Sequence, residues 1–160
     1  VIELHELRIW EEFAKRCSVT LTATVAYDES QFWEDNDGVK HYFDIEEDIK
    51  SNKISCEHVS LSQIEDLRRK FDPTYAIHAG EAEPLACLFA SDKNWIIAAS
   101  DGIVFRVLGR TSRAHQGKSL EEILQEIGLG RKLDERYTKR CRERLTRMGQ
   151  EDSIRGRGMT

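Results

Sequence analysis

Strand-like and helix-like segments alternate along this chain of 160 residues, and the alternation constrains its fold more than any other feature. Short apolar or alternating segments at 19–21, 54–59 and 95–99 predict strands. Capping-box patterns, Ser62 with Glu65 and Ser119 with Glu122, predict the starts of two helices. Because alternating β and α units build parallel sheets covered on both faces, the sequence predicts an α/β fold, a three-layer α/β/α sandwich around a central parallel sheet.

Apolar spacing and turn residues predict the other elements. Helical spacing predicts one helix from Ile2 to Phe13, and a second helix marked by Val25, Phe32 and Trp33. The run Asp-Asn-Asp-Gly at 35–38 predicts a turn. A brief helix is expected after Asp101 and Gly102, ending at Gly109, and Gly128 lies just past the helix that Ser119 opens.

Composition excludes several classes of protein. The apolar runs at 84–90 and 95–99 are far shorter than the roughly 20 residues that span a bilayer, so no membrane association is expected. The chain does not open with a signal-peptide pattern. Its four cysteines are widely spaced without a Cys-x-x-Cys pair, which favours buried thiols and a cytoplasmic location over disulfides or a zinc site.

Positive charge is concentrated near the carboxyl end. Residues 131–160 contain 10 Lys and Arg against 5 Asp and Glu, whereas residues 1–130 contain 14 against 24. A basic helix over 131–152 could contact phosphates by charge, or it could be a solvated face whose charges pair with nearby acids. We expect a domain over 1–130, this helix packed on the same domain, and a flexible tail at 153–160.

Carboxylates follow the predicted strands at positions that suit a cation. Glu81 and Glu83 open a helix, Asp101 follows the strand at 95–99, and Asp28 and Glu29 follow the strand near residue 20. Open α/β sheets bind ligands beyond the carboxyl ends of their strands, and clustered carboxylates suit Mg²⁺ or Mn²⁺. Acids at helix starts and in turns also occur without any ligand, so each group alone has an ordinary explanation. Together they predict a metal site that supports phosphodiester hydrolysis.

The order of these motifs resembles that of PIN-domain nucleases, in particular prokaryotic PIN-like proteins with a Gly-Glu-Ala-Glu motif. The resemblance covers roughly residues 1–128 and includes that motif at 80–83, Ser100 with Asp101, and the helix at 119–124. It implies Mg²⁺- or Mn²⁺-dependent cleavage of RNA, as in toxin-type ribonucleases. It also implies an antitoxin-like partner and a homodimer as further expectations.

The resemblance assigns roles to individual residues. Glu29, Glu81 and Asp101 match the catalytic metal-binding acids, with Asp28 as the substitute for Glu29 and Glu83 as a companion ligand. Further residues expected at the substrate are Ser100, Arg113 and Lys118.

One family motif has no counterpart in this chain. The family's first metal-binding Asp lies near the end of its first strand, and nothing near Val1 matches it, so we expect the first strand to be missing from this sequence. An alternative to the nuclease is therefore a catalytically impaired PIN-fold module that binds or regulates.

Overall fold

The computed structural model describes residues 1–29, 31–35 and 37–160, and these residues form two compact units. Unit 1 comprises Val1–Val59, and unit 2 comprises Ser60–Thr160.

Unit 1 combines short helices with two small sheets. Its elements are α1 (Ile2–Glu6), α2 (Trp10–Arg16), β1 (Thr20–Thr22), a π-helical turn (Val25–Glu29), β2 (Phe32–Glu34), β3 (Lys40–Tyr42), α3 (Ile45–Lys50) and β4 (Ser55–Glu57). Strands β1 and β4 pair in parallel with Leu21 opposite Cys56, and β2 and β3 form an antiparallel hairpin with Trp33 opposite His41. The strands predicted near residue 20 and at 54–59 are thus confirmed.

A polar cluster joins α2 to α3 in the core of unit 1. Trp10 is buried, and its Nε1 donates a 2.7 Å hydrogen bond to the buried carboxylate of Asp48. Lys53 forms ion pairs with Asp48 and with Glu11. Buried charge is costly unless it is paired, and here each partner of Asp48 satisfies part of its carboxylate.

Two helix predictions in unit 1 are wrong. The predicted helix from Ile2 to Phe13 is broken between α1 and α2, where Arg8 has a φ of 56°. The helix expected around Phe32 and Trp33 is a strand instead, because these aromatic residues pair across the hairpin with β3. Apolar spacing alone does not separate a short strand from a helix.

The turn that joins β2 to β3 is centred on Asp35. Its Oδ1 accepts hydrogen bonds from the backbone N–H groups of Asp37 and Val39, and Gly38 has a φ of 79°. This matches the turn predicted at 35–38, of which Asn36 lies outside the described residues.

Unit 2 is mainly helical. Its helices are α4 (Leu61–Arg69), α5 (Ala79–Ala90), α6 (Gly102–Arg110), α7 (Leu120–Glu126) and α8 (Lys139–Ile154), with 3₁₀ turns at Pro73–Tyr75, Ala114–Gln116 and Glu135–Tyr137. Helix α5 packs against α4 and α6, and α8 packs against α6 and α7. Side chains of α5, α6 and α7 provide the fully buried core, which includes Leu85, Phe105, Leu108 and Leu124.

Glycines allow α6 and α8 to cross closely. A Cβ at Gly109 would lie 2.1 Å from the carbonyl oxygen of Thr146, and a Cβ at Gly149 would lie 1.9 Å from that of Arg106. The prediction that Gly109 ends its helix is wrong, since α6 continues to Arg110 and Gly109 is buried inside it. This glycine is needed for a close approach of two backbones and not for a turn.

In unit 2, the observed capping residues match the predicted ones at α7 and differ from them at α4. Ser119 and Glu122 form the predicted capping box of α7, and Gly128 follows the helix with a φ of 73°. At α4 the box consists of Ser60 and Gln63, two residues before the predicted pair of Ser62 and Glu65. Both serines offer the same chemistry, so the sequence pattern could not choose between them.

The expected strand at 95–99 is an extended segment with a single pairing. Ile97 forms a parallel bridge with Gly117, and alternate residues are exposed, with Ile96 46% exposed. The prediction of a strand buried on both faces is therefore wrong. The mixed α/β class is confirmed, with a parallel sheet of two strands in unit 1. Within the described ranges, no helix is both long and apolar enough to cross a membrane.

The chain returns to the start of unit 2 after α8. Ser153 and Ile154 belong to the helix, and Met159 pairs with Phe71 in an antiparallel bridge. Gly158, with a φ of 80°, lies against the ring of Tyr75, where a Cβ would come within 2.1 Å of it. The segment expected as a flexible tail thus makes backbone and packing contacts in unit 2.

Candidate functional site

The start of α5 carries the two glutamates of the Gly-Glu-Ala-Glu motif. His78 has extended backbone geometry before the helix, and the N–H of Ala82 donates to its carbonyl oxygen at 2.9 Å. Glu81 lies in the first turn, where a negative charge is favoured by the helix dipole. Glu83 lies in the same helix, two residues after Glu81, and is only 7% exposed.

Glu81 contains the most unusual polar atom of this region. Its side chain is half-buried, and its Oε2 is shielded from solvent and has no hydrogen-bond partner among the residues that the structure describes. A buried carboxylate oxygen without a partner loses its hydration and gains nothing in exchange, a cost of about 1–3 kcal/mol or more. Such an atom is normally satisfied by a donor or a cation.

Asp101 lies at the carboxyl end of the extended segment that pairs with Gly117. Its side chain is exposed, and its Oδ1 accepts a 2.9 Å hydrogen bond from the N–H of Ile103 as the N-cap of α6. Ser100 precedes it and is also exposed. The cap therefore occupies one lone pair of Asp101, and the second carboxylate oxygen has capacity for another ligand.

Contacts at the other ends of α5 and α6 indicate how these helices are arranged. Arg113 follows α6, and its Nη1 donates to the carbonyl oxygen of Leu88 at 3.2 Å, while its guanidinium stacks 4.8 Å from the ring of Phe89. The two helices also pack against each other. The carboxyl end of α5 is therefore in contact with the segment that follows α6.

The two acids predicted from unit 1 lie beside its parallel sheet. Asp28 and Glu29 are exposed in the π-helical turn that follows β1. Thr22, at the end of β1 and opposite Glu57, is buried, and its Oγ1 has no hydrogen-bond partner among the described residues. The assignment of Asp28 and Glu29 to the metal site stays a prediction.

Two of the residues expected at the substrate have partners inside unit 2. Lys118 forms hydrogen bonds of 2.7 Å to both carboxylate oxygens of Glu126. Arg113 is held by Leu88 and by the side chain of Gln116 at 3.2 Å. Each cation would have to give up these contacts in order to bind a phosphate.

A buried charged cluster that the sequence does not signal links α6, α8 and the 3₁₀ turn at Pro73–Tyr75. Tyr75 is 1% exposed, and its hydroxyl donates to Asp152 Oδ2 at 2.8 Å, while Arg106 Nε donates to the same oxygen at 2.7 Å. The Arg106 guanidinium also lies 4.6 Å from the centre of the Tyr75 ring. Tyr75 and Asp152 are 77 positions apart, so no local motif could predict their contact.

This cluster shifts the pKa values of its members. Burial, followed by the hydrogen bond to Asp152, raises the pKa of Tyr75 to about 12. Burial alone would raise the pKa of Asp152, but the hydrogen bonds from Tyr75 and Arg106 outweigh it and lower that pKa. The phenol therefore stays protonated and the carboxylate stays charged at neutral pH, which indicates a structural role.

The described residues contain no group of three or more His, Cys, Asp or Glu side chains arranged to hold a metal ion. Within unit 2, the acids of the candidate site are Glu81, Glu83 and Asp101. Comparison of the chain with models of protein families, with curated proteins and with solved structures finds no match in any of the three.

Proposed function

We propose that this protein is a PIN-type nuclease that hydrolyses RNA phosphodiester bonds with Mg²⁺ or Mn²⁺. The observation that carries the proposal is the buried Oε2 of Glu81, which has no hydrogen-bond partner within the described part of the chain. A hard divalent cation is a suitable partner for such an oxygen, because carboxylates are the ligands that Mg²⁺ and Mn²⁺ prefer. Glu81 would bind the ion directly, and Asp101 would contribute the carboxylate oxygen that does not cap α6.

The chemistry expected of this site follows from its charges. A bound divalent ion supplies a water of lowered pKa and neutralises charge on the phosphate. Glu81 and Asp101 would hold the ion, and the buried Glu83 would add negative charge close to it. Asp101 is anchored by its hydrogen bond to Ile103, so its carboxylate is oriented before a ligand arrives.

We extend the proposal to the fold and to the partners. The proposed three-layer α/β/α sandwich around a central parallel sheet is supported within unit 1 by the parallel pairing of β1 with β4. RNA is the proposed partner, while an antitoxin-like protein, a homodimer and a cytoplasmic location stay predictions.

A second candidate is a PIN-fold module that binds RNA without cleaving it. One observation favours it: among the residues that the structure describes, no three potential metal ligands lie together. The two candidates share the binding of RNA and differ in the need for a divalent ion.

Cleavage of a fluorescently labelled single-stranded RNA with and without Mn²⁺ tests the proposal. We expect cleavage that EDTA abolishes and that Glu81→Gln or Asp101→Asn slows by about 10²-fold. Asn caps a helix as well as Asp does, so Asp101→Asn removes the charge and keeps the cap.

Asp134→Asn is the matched control, because Asp134 is another exposed N-cap whose Oδ1 accepts from a backbone N–H, that of Arg136 at 3.1 Å. It should leave the rate unchanged. RNA binding without any Mn²⁺-dependent cleavage would favour the second candidate, and cleavage that survives both site substitutions together would place the site elsewhere.

A further inference from the structure

One face of α8 carries exposed arginines that form no ion pair with any carboxylate of the described residues. Arg140, Arg144 and Arg147 are all exposed and follow one another at spacings of four and three residues, which places them on one side of the helix. We call these three residues the arginine stripe. Among the described residues, Arg140 and Arg147 form no ion pair, and Arg144 contacts only the sulfur of Cys141, at 3.7 Å.

The acids of α8 are occupied by other cations. Glu143 lies 3.8 Å from Lys139 and 3.7 Å from Arg142, and Glu151 lies 4.0 Å from Arg155. The interpretation of the basic segment as a solvated face with internal pairs therefore fits Lys139, Arg142 and Arg155 but not the stripe. Among the described residues, none of the three stripe arginines lies within ion-pair distance of a carboxylate of its own helix.

Packing fixes the stripe on a rigid support. The opposite side of α8 is buried against α6, where Gly149 lies against the backbone of Arg106. Arg142 on the flank forms hydrogen bonds of 3.0 and 2.7 Å with Glu122 of α7. Because both contacts lie away from the arginine stripe, a ligand could bind to it without disturbing the core of unit 2.

We propose that the arginine stripe binds the phosphate backbone of single-stranded RNA. Arginine forms paired hydrogen bonds with phosphate, and all three positions are arginine and not lysine. The stripe is about 10 Å long, so its three guanidinium groups can contact neighbouring phosphates of one strand. The choice of RNA rests on the proposed function, whereas the binding of a polyanion rests on the stripe itself.

A membrane surface fits the stripe less well. Basic helices bind membranes by burying an apolar face among the lipids, and the buried face of α8 is already covered by α6. A carboxylate-rich protein accepts the same paired hydrogen bonds from arginine as phosphate does, so binding to polyglutamate is made one of the outcomes of the test.

The test is the salt dependence of RNA binding in EDTA, where metal-dependent cleavage cannot occur. Fluorescence anisotropy of a labelled single-stranded RNA gives the affinity at several salt concentrations. The triple substitution Arg140→Gln, Arg144→Gln and Arg147→Gln should weaken binding and reduce the slope of log K against log salt by about 2, since each phosphate contact contributes about 0.7. Glutamine preserves helix propensity, which circular dichroism can verify.

A control variant with three substitutions removes the same amount of positive charge at other positions. Lys15→Gln, Arg16→Gln and Arg69→Gln neutralise three exposed cations that already form ion pairs with carboxylates. The proposal requires the slope of the control to match that of the unaltered chain. An unchanged slope in the stripe variant, or an equal loss in the control, would overturn it.

Two further binding measurements test the alternative ligands. Anionic vesicles of phosphatidylserine and phosphatidylcholine represent a membrane, and a polyglutamate peptide represents an acidic protein. Stripe-dependent binding to either one that is stronger than the binding to RNA would also refute the proposal. The result is independent of cleavage: an absence of Mn²⁺-dependent hydrolysis would remove the nuclease and leave the phosphate-binding stripe intact.

Discussion

The crossing of α6 and α8 at Gly149 yields the sharpest prediction of stability. In Gly149→Ala the new methyl group would lie 1.9 Å from the carbonyl oxygen of Arg106 and 2.8 Å from the N–H nitrogen of Arg110. Both neighbours are backbone atoms of α6, so no side-chain rotation can remove the clash. A carbon and a carbonyl oxygen come no closer than about 3.3 Å, and the helices would have to separate by about 1.4 Å.

Two opposing effects decide the size of the loss. Alanine is favoured over glycine inside a helix by about 1 kcal/mol. Forcing a methyl group into a packed interface costs about 1–3 kcal/mol and occasionally more, and a displacement of this size lies at the upper end. The separation would also stretch the 2.7 Å hydrogen bond between Arg106 and Asp152. We therefore expect Gly149→Ala to lower the free energy of unfolding by about 2 kcal/mol.

Urea denaturation followed by far-ultraviolet circular dichroism measures this change. Gly130→Ala is the matched control, because the nearest atom to its new methyl group, Gln125 Cγ, lies at an ordinary 3.9 Å. The control should change the free energy of unfolding by no more than about 0.5 kcal/mol. A Gly149→Ala protein as stable as the original, or more stable by the helix-propensity gain, would refute the close crossing of the two helices.

Three further predictions concern buried polar groups of unit 2. Tyr75→Phe removes the hydroxyl that donates to Asp152 and should lower the free energy of unfolding by about 1–2 kcal/mol in urea. The pKa of Asp152 is lower in the folded than in the unfolded chain. The charged carboxylate therefore stabilises the fold fully above the unfolded pKa of about 3.9, and this stabilisation is lost as the pH falls through the folded pKa. Asp152→Asn should therefore make the free energy of unfolding less dependent on pH in acid. Ser119→Ala removes the cap of α7 and should cost about 1 kcal/mol, whereas an unchanged urea midpoint would contradict the capping box with Glu122.

Features set by neighbouring residues could be predicted from the sequence. The cap at Ser119, the left-handed glycine at Gly128 and strands β1 and β4 each depend on a few residues close in the chain. Their signals are local, because a capping side chain contacts a backbone group only three residues away.

Features set by distant contacts could not be predicted. Gly109 looks like a helix end in the sequence but accommodates the backbone of Thr146, 37 positions later in the numbering. Phe32 and Trp33 have helical spacing relative to Val25, yet pairing with β3 makes them a strand. Tertiary contacts override local preference at such places.

The candidate site also combines features that neighbouring residues set with features that distant contacts set. Residue types and order identify Glu81, Glu83 and Asp101 as acids of interest, and capping rules account for the orientation of Asp101. The burial of Glu83 and the shielded oxygen of Glu81 depend on how α5 packs, which the sequence does not specify.

Binding of Mn²⁺ to the unaltered chain and to Glu81→Gln, measured by isothermal titration calorimetry, tests the central claim most directly. Glu135→Gln is the control, since Glu135 is an exposed glutamate in the 3₁₀ turn before α8. The account predicts saturable binding that Glu81→Gln weakens by at least about 10-fold and that the control leaves unchanged. Equal Mn²⁺ affinity in all three proteins, or no saturable binding at all, would contradict a metal site at Glu81.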